Sequence, residues 1–176
     1  MPDTDTHHLP WSSADLEPRT LRNLLGSYPT GVAVVTTRTP EGRPVGLTIN
    51  SFASLSLAPP LVLWSLVSHS SSQEVFRRCS HFAISVLSSA QEELARRFAT
   101  SAIADKFSGV ALRQTPEGPP AIDGALTTLV CAHDHCRDVG DHLLLVGRIV
   151  RTVSTRGAPL VFHGGQFKSL AQPACS

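Results

Sequence analysis

The spacing of apolar residues changes several times along the chain, and each change marks a candidate element. In PRTLRNLLGSYPTG, Leu21, Leu24 and Leu25 recur at helical spacing, Pro18 suits a first turn and Gly26 stands where a helix could stop. One short amphipathic helix is predicted there. GVAVVTT, rich in β-branched residues, runs into a Pro-Glu-Gly turn and then RPVGLTIN, which predicts two strands paired as a hairpin. LVLWSLV, after Pro59 and Pro60, is apolar on both alternations, as expected of a central strand covered on both faces in a closed barrel. Helix starts follow at Ser71 with Glu74 and at Ser89 with Glu92, both at capping-box spacing, and HFAISVL between them predicts another strand.

The stretch from Ala99 to Gly124, with Pro116, Gly118, Pro119 and Pro120, predicts an irregular surface crossing between two halves. ALTTLVCAHDHC, a Val-Gly-Asp turn and HLLLVGRIVRTVST then read as a long antiparallel hairpin, and PLVFHGGQFKSL closes the domain. At least six strands, with helices placed between some of them, predict a mainly β, antiparallel barrel, because a parallel α/β sheet would need strand and helix to alternate throughout. The expected organisation is a mobile N-terminal tail over residues 1–16, one domain over 17–170 and a C-terminal tail over 171–176.

Composition narrows the function classes. Apolar residues make up 41% of the chain and charged residues 16%, enough to build a packed core. The 15 basic and 14 acidic residues form no block of like charge, which argues against nucleic acid or an anionic membrane as partner. No apolar run approaches the roughly 20 residues of a membrane-spanning helix, and the first residues lack the basic start and apolar stretch of a signal peptide. A soluble, cytoplasmic protein with reduced thiols at Cys79, Cys131, Cys136 and Cys175 is therefore expected.

Candidate chemistry concentrates in a few places. TINSFASLS crowds Thr48, Asn50, Ser51, Ser54 and Ser56 beside apolar residues, a combination that suits a polar planar ligand or, equally, a hydroxyl-rich edge strand. If the chain stays extended, Thr48 pairs in direction with Asn50, and Ser54 with Ser56. The Ser68 to Ser72 cluster before a helix could meet a phosphate, or merely cap that helix, and Lys106 in the crossing segment could add a point charge. Cys131, His133 and His135 alternate, with Cys136 adjacent, but a flat strand sets such ligands in a row rather than a tetrahedron, so no metal is assigned. No Gly-x-Gly-x-x-Gly, Walker loop or Gly-x-Ser-x-Gly elbow occurs.

The order PTGVAVVTT, GLTINSFASLSLAPPLVLWSL, FAISVLSSAQEELARRFA, KFSGV, GDHLLLVGRIV and PLVFHGGQF, from about Leu21 to Leu170, resembles the short-chain flavin reductase family. The resemblance implies an antiparallel split β-barrel of the Greek-key, FMN-binding type with a few short flanking helices, assembled as a homodimer. It also implies an NAD(P)H-dependent flavin reductase that transfers hydride from NADH or NADPH to FMN or FAD and supplies reduced flavin to a separate monooxygenase. By motif, Pro29, Thr30 and Gly31 would lie near the flavin, and Thr48, Asn50, Ser51, Ser54 and Ser56 would contact its ring and ribityl chain. Ser71, Ser72 and Lys106 would hold its phosphate, and His142 would orient the nicotinamide. The chain departs from the family pattern at Ala58, Arg148 and Phe162, where Asp, Glu and Tyr are frequent, and these positions bear on nicotinamide specificity and the partner. Rival readings are a split-barrel flavoprotein that retains FMN and reduces another acceptor, a non-catalytic flavin-binding protein, and a zinc module on Cys131, His133, His135 and Cys136.

Overall fold

The computed structural model describes residues 17–170, so the expected tails at 1–16 and 171–176, with Cys175, lie outside the described residues. The chain begins with helix α1 (Pro18–Leu25) and strands β1 (Thr30–Gly31), β2 (Ala33–Arg38), β3 (Pro44–Ile49), β4 (Ala53–Leu57) and β5 (Pro60–Val67). Helix α2 (Gln73–Arg78), β6 (His81–Val86), a 3-10 turn (Ser89–Gln91) and α3 (Glu92–Ala99) follow. Short strands β7 (Leu112–Arg113) and β8 (Ala121–Ile122) precede the long β9 (Thr127–Val139) and β10 (His142–Ser154), then β11 (Leu160–His163) and β12 (Gln166–Ser169).

Seven strands form one antiparallel sheet in the order β3-β2-β6-β9-β10-β5-β4. It curls around a core that joins Val35 and Ile49 from one end to Val62, Trp64 and Leu66 from the other. The ends approach where β3 nears β5 without a ladder between them, so the barrel is split at that point. Phe76 of α2 and Phe82 of β6 stand edge-on to the Trp64 ring at 5.0 and 5.8 Å between centroids, locking α2 onto this core. A second cluster, with Val32, Val34, Leu87, Phe98 and Leu160, packs on the other face of β2.

These two clusters correct the sequence reading of LVLWSLV. In β5 burial alternates, with Val62, Trp64 and Leu66 inward and Leu61, Leu63, Ser65 and Val67 only half-buried, and the strand lies second from the sheet edge rather than at its centre. The strands covered on both faces are β2 and β6. An apolar run cannot tell a strand buried twice from one with an apolar outer face, since both carry the same residues.

Both capping boxes shift as well. Ser72, not Ser71, is the N-cap of α2, and it makes no side-chain capping bond. The second box is Ser88 with Gln91, one residue before the predicted pair, and Gln91 Oε1 accepts from Ser88 N at 3.1 Å. The predicted hairpins β2–β3 and β9–β10 form, the latter with bulges. The crossing segment carries one short β7–β8 pair, and buried Thr36 ties it to the sheet by donating to Pro120 O.

Candidate functional site

Edge strand β3 forms one wall of an open cleft of about 810 Å³, a volume within the range of small-molecule sites. The end of β5 and the turn His69–Ser72 form the second wall, and the end of α3 with the loop to Phe107 forms the third. Thr48, Ser71, Ser72 and Lys106, from three separate stretches of sequence, meet here.

Each wall is fixed locally. Ser68 N donates to Asp141 O at 2.9 Å and Gln73 N to Ser70 O at 3.0 Å, so the serine turn is held at both ends, with buried Phe76 anchoring the helix beyond it. Ser71 and Ser72 line the cleft, and neither hydroxyl has a hydrogen bond to another described residue. In the loop, Asp105 Oδ1 accepts from Phe107 N at 3.0 Å and Ser108 N at 3.1 Å, while Arg97 clasps Ser108 O at 2.7 Å. Lys106 Nζ donates to Phe98 O at 3.0 Å, and partial burial holds its ammonium below the ordinary lysine range. Phe98 and Phe107 meet edge to face over Gly46, whose missing side chain makes room: a Cβ there would lie 3.0 Å from the Phe107 ring.

The other predicted residues divide. Thr48 lines the cleft, but its hydroxyl donates to Ala95 O at 2.6 Å and ties β3 to α3. Ser51 Oγ both donates to Ser65 O and accepts from Ser65 N, each at 3.0 Å, a staple between the chain before β4 and β5. Asn50 is exposed just past β3. Ser54 and Ser56 do not share a face: a register shift leaves Leu55 unpaired, with Ser54 opposite Val62 and Ser56 opposite Leu61, and directly opposed residues point the same way. Pro29, Thr30 and Gly31 are outside the cleft walls, because β1 leaves the main sheet to pair with β11. Thr30 Oγ1 is nonetheless shielded and without a partner among the described residues, and the space beside Gly31 is open.

His142 lies opposite Val67, a cleft residue, and so shares its sheet face one strand further along. Its Nδ1 is 2.7 Å from Asp141 Oδ1, and that hydrogen bond is the main reason the Asp141 carboxyl sits below its ordinary range. Sequence reasoning missed His69 and Phe98 as cleft residues; the only signal for His69 was its place inside the serine cluster.

The Cys131 row is broken by a bulge at Asp134, since Gly147 pairs with His133 but Val146 with His135. Cys131 and Cys136 pack on the core, His133 Nδ1 lies 3.1 Å from Cys79 O and His135 pairs with Asp134. Among the described residues no group of three or more His, Cys, Asp or Glu is placed to hold a metal ion. A second cleft of about 480 Å³, lined by Arg38, Arg78 and Glu117 among others, has charges already committed: Arg78 pairs with Glu74, Glu117 with Arg151, and Arg38 with Gly42 O and Gly118 O. No helix among the described residues is long and apolar enough to cross a membrane.

The donor set of the β3 cleft fits a flavin phosphate: two uncommitted hydroxyls and an ammonium converge where an edge strand leaves backbone groups unpaired. Comparison with known proteins shows the family. A family model described as a flavin reductase like domain matches residues 25–171. FMN reductase (NADH) SmoA of Agrobacterium fabrum is 46% identical over 149 residues, 85% of this chain and 84% of the relative. The flavin-dependent monooxygenase reductase subunit HsaB of Rhodococcus jostii is 36% identical over 156 residues, 88% of this chain and 79% of the relative. Among solved structures, the NADH:FAD oxidoreductase SgcE6 of Streptomyces globisporus matches with a TM-score of 0.85 and 36% identity over 94% of this chain and all of that one. Its structure in complex with NAD and FAD fragments matches with a TM-score of 0.84, at 36% identity over 92% of this chain and 100% of that one. The chain belongs to the flavin reductase-like family.

Proposed function

We propose that this protein is an NAD(P)H:flavin oxidoreductase that binds FMN or FAD in the β3 cleft and passes reduced flavin to a partner monooxygenase. The observation that carries the reading is the meeting of Ser71, Ser72 and Lys106 in one groove beside an open strand edge. A bound flavin would supply the redox chemistry, accepting hydride from the nicotinamide on its central ring. The protein's part is placement. Ser71 and Ser72 donate to the phosphate, and Lys106 adds a point charge whose partial desolvation strengthens that contact. The open edge of β3 offers backbone donors and acceptors to the polar rim of the ring. Thr48 and Ser51, whose hydroxyls are spent on Ala95 and Ser65, keep that edge in place. Pro29, Thr30 and Gly31, outside the cleft walls, would lie near the flavin only at its periphery, on the side where the space beside Gly31 is open. Exposed Asn50 and one of Ser54 and Ser56, which lie on opposite faces of β4, would contact the ring or ribityl chain. His142, steadied by Asp141, would orient the nicotinamide rather than act as acid or base.

The second half of the proposal is a homodimer. Leu57 is 93% exposed and Leu55 49%, which leaves an apolar surface around the free edge of β4. An apolar face of this kind suits a second copy packed on a two-fold axis. NADH is the first donor to test, since two relatives carry it in their names. Anaerobic mixing of the flavin-loaded protein with NADH, and separately with NADPH, is expected to bleach the oxidised flavin absorbance. Flavin that binds but stays oxidised with both donors would leave a flavin carrier instead, and flavin retained through dialysis yet reduced would favour a flavoprotein serving another acceptor.

A further inference from the structure

We infer that His69 is a further phosphate ligand of the β3 cleft, carrying a proton when the phosphomonoester of FMN is bound and so setting the preference for FMN over unphosphorylated flavin. The inference rests on the flavin reading of the cleft. Among the described residues, three ionisable side chains line this groove: His69, Asp105 and Lys106. Lys106 and Asp105 cancel in formal charge, and the Lys106 ammonium is shared with Phe98 O. A phosphate dianion would therefore enter a cleft of no net positive charge unless His69 brings one.

His69 is placed and available to do so. It sits in the turn with Ser70, Ser71 and Ser72, on the cleft wall, and is exposed. The rings of His81, His133, His135 and His142 each have a protein partner, whereas His69 has none among the described residues. Asp141, on the β9–β10 turn, feels the field of His69 as well as its hydrogen bond from His142. His142 is the opposing charge when protonated, but it is turned onto Asp141 at 2.7 Å. Lys106 and Asp105 face it across the cleft, and Glu74 of α2 is drawn to Arg77 and Arg78. Histidine is the side chain that exchanges its charge near neutral pH, so a dianion beside it draws a proton onto the ring.

The test uses the full chain and its His69→Gln variant, which keeps a hydrogen-bond donor but no charge, with Lys106→Met as a control. Dissociation constants for FMN and riboflavin are read from flavin fluorescence at about pH 7 and about pH 8.5, above the second phosphate ionisation near 6. Expected is a loss of roughly fivefold to tenfold in FMN affinity for His69→Gln at the lower pH, the difference between a charge-assisted hydrogen bond and the neutral one that Gln can still make, with riboflavin unchanged. The decline of FMN affinity with rising pH expected of the parent should also vanish. If His69→Gln keeps both the FMN preference and its pH dependence while Lys106→Met loses affinity, the His69 assignment is overturned and the phosphate site stands. If the parent does not prefer FMN and Lys106→Met changes nothing, the flavin-phosphate reading fails and the His69 inference falls with it.

Discussion

At Gly147 the backbone of β10 passes so close to β9 and β6 that an added Cβ would overlap the Phe82 ring and lie 2.9 Å from Cys131 Cβ. Neither neighbour can yield, because both are fully buried. Gly147→Ala is expected to cost about 2–3 kcal/mol through overpacking, read as a lower midpoint in urea denaturation. The thiols make a second prediction at this scale. Burial pushes Cys79 up to about 11 and Cys131 up to about 12, so both stay protonated in the folded protein well after an unfolded chain would ionise. The folded state then holds more protons between roughly pH 9 and the folded values, and stability falls as pH rises through that window. Melting temperature should drop on the alkaline side, and the Cys79→Ala, Cys131→Ala double variant should show a flatter decline from its own lower starting point.

Among the elements, α3 depends on its entry. Gln91 accepts from Ser88 N and donates through Nε2 to Asp123 O at 3.0 Å, joining the helix start to the turn before β9. Gln91→Ala removes both bonds and should cost about 1 kcal/mol, measurable by chemical denaturation. The same helix carries Phe98 against Phe107, which frames the cleft, and receives Thr48 from β3 at Ala95 O. Loss at its N-terminus should therefore weaken flavin binding modestly without touching a ligand contact. Strand β4 shows how one residue alters an element: the unpaired Leu55 turns Ser54 and Ser56 to opposite faces, a change invisible to a two-residue alternation.

For the molecule as a whole, the proposed two-fold assembly rests on the apolar surface at the free edge of β4. Leu57 stands 93% exposed at its edge, and a Glu there would place a charge in any apolar contact made by that face. Leu57→Glu is expected to shift a dimer to monomer at micromolar concentration, checked by light scattering on a sizing column, with the melting of the single chain little changed. A parent protein that is monomeric in the same measurement would remove the proposed two-fold assembly.

Periodicity and turn chemistry in the sequence were enough to place helix α1, the β2–β3 and β9–β10 hairpins and the antiparallel class, because these depend on neighbours within a few residues or across one tight turn. The order of motifs was enough to single out Ser71, Ser72 and Lys106, three residues that line one cleft. Only the tertiary structure decided which strand is buried on both faces, since that depends on what packs above it: β2 and β6 lie between two clusters, while β5 keeps an open outer face. It also decided that Thr48 and Ser51 spend their hydroxyls on Ala95 and Ser65, that a bulge breaks the Cys131 row, and that His69 joins the cleft. Each of these rests on contacts between residues distant in the chain, which local pattern does not encode.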